Sequence, residues 1–318
     1  MSNSFAGIRW IWMNGELIEF EKATIHVLTH ALHYGSGAFE GIRCYETPQG
    51  PAVFRLPEHL RRLEMTCRIY RMPLRFSGEE LEEAVLETIR SNDLGACYIR
   101  PLVWRGFGSL GVDPLRAPVE VAVAAWEWGK YLGDDSEEGV DVCVSSWQRV
   151  PQQSLPAVAK ATGNYLNASL VKMEAVLDGY AEGIALDTQG FVSEGSGQNV
   201  FLVVNGTLVT PSEASSLLPG ITRDTVMTLA RELGIPVREE RIARGVLYAC
   251  DEMFLTGTAV EITPIRSIDR YTVGDGRPGP VTRRLMEEFR RVVTGHAAGH
   301  ADWLTPVAVA RPVPVGTP

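Results

Sequence analysis

Lysine is nearly absent from this chain. Of its 30 cationic side chains only Lys22, Lys130, Lys160 and Lys172 are lysines; the other 26 are arginines. Arginine serves wherever a plain positive charge is wanted, so a lysine in an apolar run marks a task that an always-protonated guanidinium cannot perform. Patterned cysteine is missing as well. Five cysteines (Cys44, Cys67, Cys97, Cys143, Cys250) are scattered, odd in number and without C-x-x-C spacing, which argues for reduced thiols against a disulfide framework or a metal cage. No apolar run approaches the roughly 18 residues of a membrane span. The N-terminal stretch, broken by Arg9 and Glu16, shows no secretory leader, and the expected location is cytoplasmic. Net positive charge is lacking too: a balance of −9 excludes nucleic acid and anionic membrane as natural partners. There is no H-E-x-x-H motif, and His26, His30 and His33 have no carboxylate near them before Glu40, so no metal site is expected. No internal repeat is present.

What remains is an ordinary globular composition, 45% hydrophobic and 22% charged, long enough for two domains. Trp10 to Phe20 reads as a hairpin, because Asn14-Gly15 supplies the positive φ of a type I′ turn. Residues 30–43 spend three glycines beside two aromatics, for close approach to a ligand or second subunit, or as an irregular helix with a tight connection. A strand pair, Ile42 to Glu46 and Ala52 to Arg55, precedes a helix opened by Pro57. Leu60, Leu63, Cys67 and Tyr70 share one face of it, and Arg61 or Arg62 near its start could turn toward an anion. Ser77 to Glu80 is a capping box before a second helix, ended by Gly95. Strands 96–104 and 119–126 follow, with a functional-length loop from Gly106 to Pro118 between them.

Residues 128–139, rich in glycine and acid, read as an exposed linker. Strand Val140 to Ser146 leads to the stretch Ser154 to Leu166, where Lys160 sits among Ala and Val. Burial there disfavours the charged form and suits a Schiff-base amine; the alternative is a lysine whose stem covers apolar surface while its head reaches water. A helix carrying Leu166, Leu170, Met173 and Leu177 follows, stopping at Gly179. Glu194, in a polar Gly-rich segment between apolar strands, suits a protonated heteroaromatic nitrogen or else an exposed turn. Leu218 to Asp224 opens a helix whose N-terminus can seat a phosphate, with Thr222 adding a hydroxyl or acting as N-cap. There is no Gly-Lys pair of a Walker loop. Leu255 to Ile262 offers small residues with amides for an anion, and Val281 to Thr294 is a last amphipathic helix. Arg100, within an apolar strand, wants a carboxylate, either a substrate's or an internal one.

A Schiff-base lysine, a carboxylate for a pyridine nitrogen, a phosphate seat and an arginine for a substrate carboxylate together suit a pyridoxal-phosphate enzyme acting on amino acids. The chain resembles the branched-chain amino acid aminotransferases of the class IV, fold-type IV pyridoxal-phosphate family. The resemblance runs from about Ile11 to about Leu304 and rests on several blocks in the same order: His33-Tyr34-Gly35 with Phe39-Glu40-Gly41-Ile42-Arg43, Tyr98 to Pro101, Ala159 to Tyr165, Glu194 to Asn199, Leu218 to Arg223 and Gly257-Thr258-Ala259. It implies an α/β (α+β) fold with a small N-terminal α/β domain (1–127), an interdomain linker (128–139), a larger C-terminal pseudo-barrel domain that binds the cofactor (140–307) and a disordered tail (308–318). The activity implied is ping-pong transfer of an amino group between leucine, isoleucine or valine and 2-oxoglutarate, with pyridoxal 5′-phosphate as cofactor. An aminodeoxychorismate-type lyase and a D-amino acid or (R)-amine transaminase are the alternatives on the same scaffold.

By the same resemblance, Lys160 is the Schiff-base lysine and proton shuttle, Glu194 pairs with the pyridine nitrogen, and Tyr165 bonds the ring hydroxyl. Arg62, Ile221, Thr222 and Thr258 hold the phosphate. Tyr98, Arg100 and the amides at Thr258 and Ala259 receive the substrate carboxylate. Phe39, Trp128 and Tyr131 wall the side-chain pocket, and Tyr34 with the Gly106–Val112 loop comes from a partner subunit. The implied assembly is a homodimer, with a trimer of dimers as the larger option. Three departures stand out: Thr162 replaces a glycine usual in the family, Lys130 replaces a small residue, and the segment Trp104-Arg105-Gly106-Phe107 differs from the relatives.

Overall fold

The computed structural model describes residues 5, 7–129, 132 and 134–307. Lys130, Tyr131 and the tail from residue 308 lie outside the described residues. The chain forms two sheets. The first contains β1 (Trp10–Met13), β2 (Glu16–Glu19), β3 (Gly37–Phe39), β4 (Ile42–Tyr45), β5 (Ala52–Phe54), β6 (Cys97–Arg105) and β7 (Val119–Trp126). The second contains β8 (Val140–Val144), β9 (Glu182–Leu186), β10 (Val192–Gly195), β11 (Asn199–Val204), β12 (Thr207–Pro211), β13 (Val237–Glu240), β14 (Glu252–Gly257), β15 (Glu261–Ile268) and β16 (Tyr271–Thr272). A final strand, β17 (Leu304–Pro306), returns to pair antiparallel with β5 at the edge of the first sheet.

The first sheet is antiparallel, in the order β17-β5-β4-β6-β7-β1-β2 with β3 also on β6. Asn14 (φ 55°) and Gly15 (φ 106°) make its first hairpin turn, as the Asn-Gly pair predicts. Alternation sorts its residues: Ile99, Val103, Val121 and Val123 point one way into a core completed by α2 (Leu56–Ile69) and α3 (Gly78–Ser91), following the five-residue α1 (His30–Tyr34). Tyr98, Arg100 and Trp126 have the opposite parity and belong to the other face. The Ser77–Glu80 capping box is present. The helix it opens ends at Ser91, four residues before Gly95. The left-handed residue that ends it is Asp93 (φ 54°), a short polar side chain that tolerates this region.

The second sheet runs β10-β9-β8-β15-β14-β11-β12-β13, with β8 parallel to both β9 and β15. It curls into a half-barrel that brings β10 back against β11. Its central strands are buried on both faces. On β11, Phe201 and Val203 join an outer core with α5 (Ile221–Glu232) and α6 (Pro280–Val293), while Val200 and Leu202 fill the inside of the curl. On β14 Phe254 goes outward and Met253 and Leu255 inward. The outer core also takes Tyr45 and Phe54 from the first sheet, which locks the two sheets together. The helix behind Lys160, α4 (Tyr165–Leu177), buries Ala168, Val171 and Ala175. Its larger residues Leu166, Met173 and Leu177 (86% exposed) face outward, because a small-residue face lets the helix lie close on β9. No described helix is long and apolar enough to cross a membrane.

Phe201 stacks on Phe254 with centroids 5.2 Å apart and is fully buried. Phe201→Ala is expected to cost about 3–5 kcal/mol of stability, the usual range for emptying such a site. Denaturant unfolding monitored by circular dichroism measures it; a loss below about 1 kcal/mol would mean that β11 does not join two packed cores.

Candidate active site

A cavity of about 180 Å³ lies between the two sheets. The first sheet supplies Phe39, Gly41, Tyr98 and Arg100, and α2 supplies Arg62. From the second half come Trp128, Arg149, Lys160, Tyr165, Glu194, the Gly220–Thr222 start of α5 and the turn Thr258–Val260.

Lys160 sits in the loop before α4, and both of its backbone groups are fixed by the first half of the chain. Its N–H donates to the Thr66 hydroxyl at 3.0 Å, and its carbonyl accepts from the Phe39 N–H at 3.1 Å. Ala38 and Ala161 form an isolated bridge beside it. Asn164 donates to the Pro156 and Ala159 carbonyls at 3.1 Å and pins the same loop from within. The glycines of residues 35–37 serve this junction. Gly35 turns left-handed (φ 62°) at the end of α1, and its carbonyl accepts from the Gly163 N–H and the Thr162 hydroxyl. The segment is therefore a short irregular helix and a tight connection held against the lysine loop. Thr162, the departure from glycine, adds a 2.7 Å bond to it.

The Lys160 Nζ contacts the Tyr165 hydroxyl at 2.8 Å and lies 5.1 Å from the Phe39 ring centroid. Across the cavity, Glu194 is held on three sides. Arg149 Nη2 pairs with Oε1 at 2.8 Å, and Oε2 accepts from Asn199 Nδ2 and the Leu218 N–H, each at 3.1 Å. Burial pushes the Glu194 carboxyl above the ordinary range, opposed by the Arg149 charge, the Leu218 amide and Lys160. Glu194 is thus buried inside the site and not a turn-exposed residue; a shift in register between Val192 and Glu194 marks an irregularity in β10 here.

Arg62 forms a two-point pair with the fully buried Glu40 (Nε–Oε1 2.7 Å, Nη2–Oε2 2.8 Å) and donates from Nη1 to the Pro219 carbonyl at 2.8 Å. Gly220 is the N-cap of α5 and Thr222 its second helical residue, so Thr222 is not the cap. Amides of that first turn have no partner within the helix, which with the helix dipole makes an anion seat. Gly41 is required, since a Cβ there would overlap the Tyr98 hydroxyl.

Arg100 has no carboxylate partner among the described residues. Its guanidinium lies over Phe39 at 4.8 Å and Tyr98 at 5.5 Å, its hydrogen bond to the Tyr98 hydroxyl is a long one of 3.4 Å, and its Nε has no partner. Of the two partners open to Arg100, the internal ion pair is absent. Trp128 stacks on Tyr98 at 4.7 Å and closes that wall.

The structure therefore gathers Lys160, Arg62, Tyr165, Glu194, Ile221, Thr222, Thr258, Phe39, Tyr98, Arg100, Trp128 and Ala259 around one cavity. Tyr131 lies outside the described residues. Tyr34 does not line the cavity; it is 47% exposed with its ring 4.6 Å from His30. The three clustered histidines bond to neighbouring main-chain and hydroxyl groups: His30 to the Ser36 hydroxyl and, across to the 106–112 loop, the Gly111 carbonyl, His33 to the Val27 carbonyl, and His26 to the Leu28 N–H. Sequence reasoning missed Arg149 and Asn199 as partners of Glu194, and missed Glu40 with His59 behind Arg62. One available signal was the rule that a buried carboxylate demands a cation, though it does not say from which loop.

A sequence profile described as "Amino-transferase class IV" matches residues 37–268. The branched-chain-amino-acid aminotransferase of Escherichia coli (strain K12) is 50% identical, covering 94% of this chain and 97% of that one. A crystal structure of the Escherichia coli branched-chain amino acid aminotransferase superposes with a TM-score of 0.93 at 50% identity, covering 95% of this chain and 100% of the other. The branched-chain amino acid aminotransferase from Thermobaculum terrenum in its PLP-form (holo-form) gives 0.89 at 38%, covering 95% and 99%. With motif, geometry and similarity in agreement over nearly its full length, the chain belongs to the class IV aminotransferase family.

Proposed function

We propose that this chain is a branched-chain L-amino acid transaminase, moving the amino group between leucine, isoleucine or valine and 2-oxoglutarate with pyridoxal 5′-phosphate as cofactor. One observation carries the reading: the Lys160 amine faces the same small cavity as the braced Glu194 carboxylate and the α5 N-terminus with Arg62. Those three features match an aldehyde, a pyridine nitrogen and a phosphate, so the residues present fit the cofactor. When bound, it supplies a carbonyl for amine exchange and a ring that accepts the electron pair released at the substrate Cα.

The remaining chemistry belongs to the chain. The Lys160 Nζ, close to the Tyr165 hydroxyl, takes and returns the Cα proton. Glu194, its charge supported by Arg149, holds a proton on a facing heteroaromatic nitrogen. Arg62, the first-turn amides of Ile221 and Thr222, and Thr258 bind phosphate oxygens. Arg100, without an acidic partner of its own, takes the substrate carboxylate together with Tyr98 and the amides at Thr258 and Ala259. Phe39 and Trp128 exclude water and favour branched apolar side chains, each buried methylene being worth about 0.8 kcal/mol. The similarity to enzymes named for branched-chain substrates supports that choice.

The catalytic unit we infer is a homodimer. Val27, Leu32, Tyr34, Phe107, Leu110 and Val112 are exposed apolar residues of the α1 region and the 106–112 loop. His30 joins these two segments through Ser36 and Gly111. An apolar surface of this kind is characteristic of subunit contact, and in this reading it carries Tyr34 to the partner's pocket.

Three outcomes are expected. Lys160→Ala abolishes leucine–2-oxoglutarate transamination while the circular dichroism spectrum is kept; near-normal turnover would overturn the assignment. Arg149→Leu leaves Glu194 buried without its cation and lowers the single-turnover rate with leucine by about tenfold or more, with Arg149→Lys in between; an unchanged rate would remove Arg149 from the mechanism. Val112→Asp shifts the sedimenting species to the monomer mass and removes activity. In the same run, wild type sediments at twice the monomer mass for a dimer or six times for a trimer of dimers, and an active wild-type monomer would refute the shared pocket.

A further inference from the structure

Glu40 is fully buried and makes four hydrogen bonds. Its carboxylate accepts Arg62 at both oxygens, His59 Nδ1 approaches Oε2 at 2.7 Å, and its N–H donates to the Pro101 carbonyl at 2.9 Å. A carboxylate oxygen can only accept, so His59 carries its proton on Nδ1. Burial lowers the His59 pKa despite the neighbouring carboxylate, so at neutral pH the ring donates as a neutral imidazole. Burial alone would raise the Glu40 pKa, but the Arg62 charge and its hydrogen bonds, with His59, hold it well below the usual carboxylate range.

A guanidinium has five N–H donors. Three are spent inside the protein: two on Glu40 and one on Pro219, the residue just before the N-cap of α5. Two remain on the side chain that lines the cavity. His59 and Arg62 are three residues apart on α2, so one carboxylate from the β3–β4 connection receives both. The arrangement sets the angle of the guanidinium relative to the first turn of α5.

We propose that Glu40 and His59 are positioning residues, a buried brace that aims the two remaining Arg62 donors at the phosphate of the cofactor. The inference rests on the pyridoxal-phosphate reading and deepens it. Glu40 neutralises Arg62, so the brace lowers the net positive charge at the seat while fixing its geometry. Charge attraction and positioning therefore predict opposite signs when Glu40 is removed.

The test uses the full-length apo chain and two probes, pyridoxal 5′-phosphate and pyridoxal, which lacks the phosphate. Binding is read by quenching of tryptophan emission, since Trp128 lines the cavity. Glu40→Gln is expected to weaken pyridoxal 5′-phosphate about tenfold or more, the effect of misaligning one charge-assisted contact, and to leave pyridoxal unchanged. Tighter binding of the phosphorylated probe, or equal loss of both probes, overturns the brace. Should Glu40→Gln not fold, His59 decides: His59→Leu weakens the phosphorylated probe selectively, and His59→Asn, with an N–H near the Nδ1 position, restores it. Equal affinity in both His59 variants also overturns the brace. Wild type binding neither probe would instead refute the cofactor reading itself.

Discussion

Two hydrogen bonds to the main chain of Lys160 hold the site together. The amide of Lys160 is bound to a threonine on α2 and its carbonyl to the strand that carries Phe39. The lysine arises from the second half of the chain, yet its main chain is registered against the first. That registration places the lysine beside Phe39, with its Nζ 5.1 Å from the ring centroid. The core formed by Tyr45, Phe54, Phe201 and Phe254 supplies the rigidity that it requires.

Charge within the site is arranged by the same logic. The buried carboxylates in and behind the cavity wall are satisfied by cations of the chain: Glu194, which lines it, by Arg149, and Glu40, which lies behind Arg62, by Arg62. Arg100 and Lys160 are left without an acidic partner among the described residues. Both groups are part-buried, and an aromatic face takes the place of a carboxylate beside them, with Phe39 lying within about 5 Å of both. The site is thus set to receive anions and a carbonyl, the groups that an amino acid and a phosphorylated aldehyde present.

Much of this was legible in the sequence because the chemistry leaves little choice of residue. Only a lysine makes a Schiff base, Asn14-Gly15 permits one hairpin turn, and Ser77 with Glu80 caps a helix reciprocally. The partners of those groups were not legible. Arg149 lies in an unremarkable loop, and Asn199 starts an apolar strand; their importance comes from Glu194, which is reached only through folding. The periodic leucines of α4 pointed to a helix, and a helix is there, but periodicity cannot say that the small-residue face is the buried one. Gly95 was a natural stop for α3, yet Asp93 took the left-handed conformation first. Nothing in Leu304-Thr305-Pro306 announced an edge strand, since three residues carry no period.

That edge strand has a consequence for the newborn chain. The first sheet consists almost wholly of residues made early, but β17 and Trp303, which stacks on the Arg55 guanidinium at 4.5 Å, come only after the second sheet and α6. During synthesis the hydrogen-bonding edge of β5 must wait uncovered through about 250 residues of translation, a stretch of some tens of seconds at ordinary ribosomal speed. An open edge of that kind is an invitation to pair with a neighbouring nascent strand. Closing the amino-terminal sheet therefore waits until the whole of the second sheet and α6 have been made.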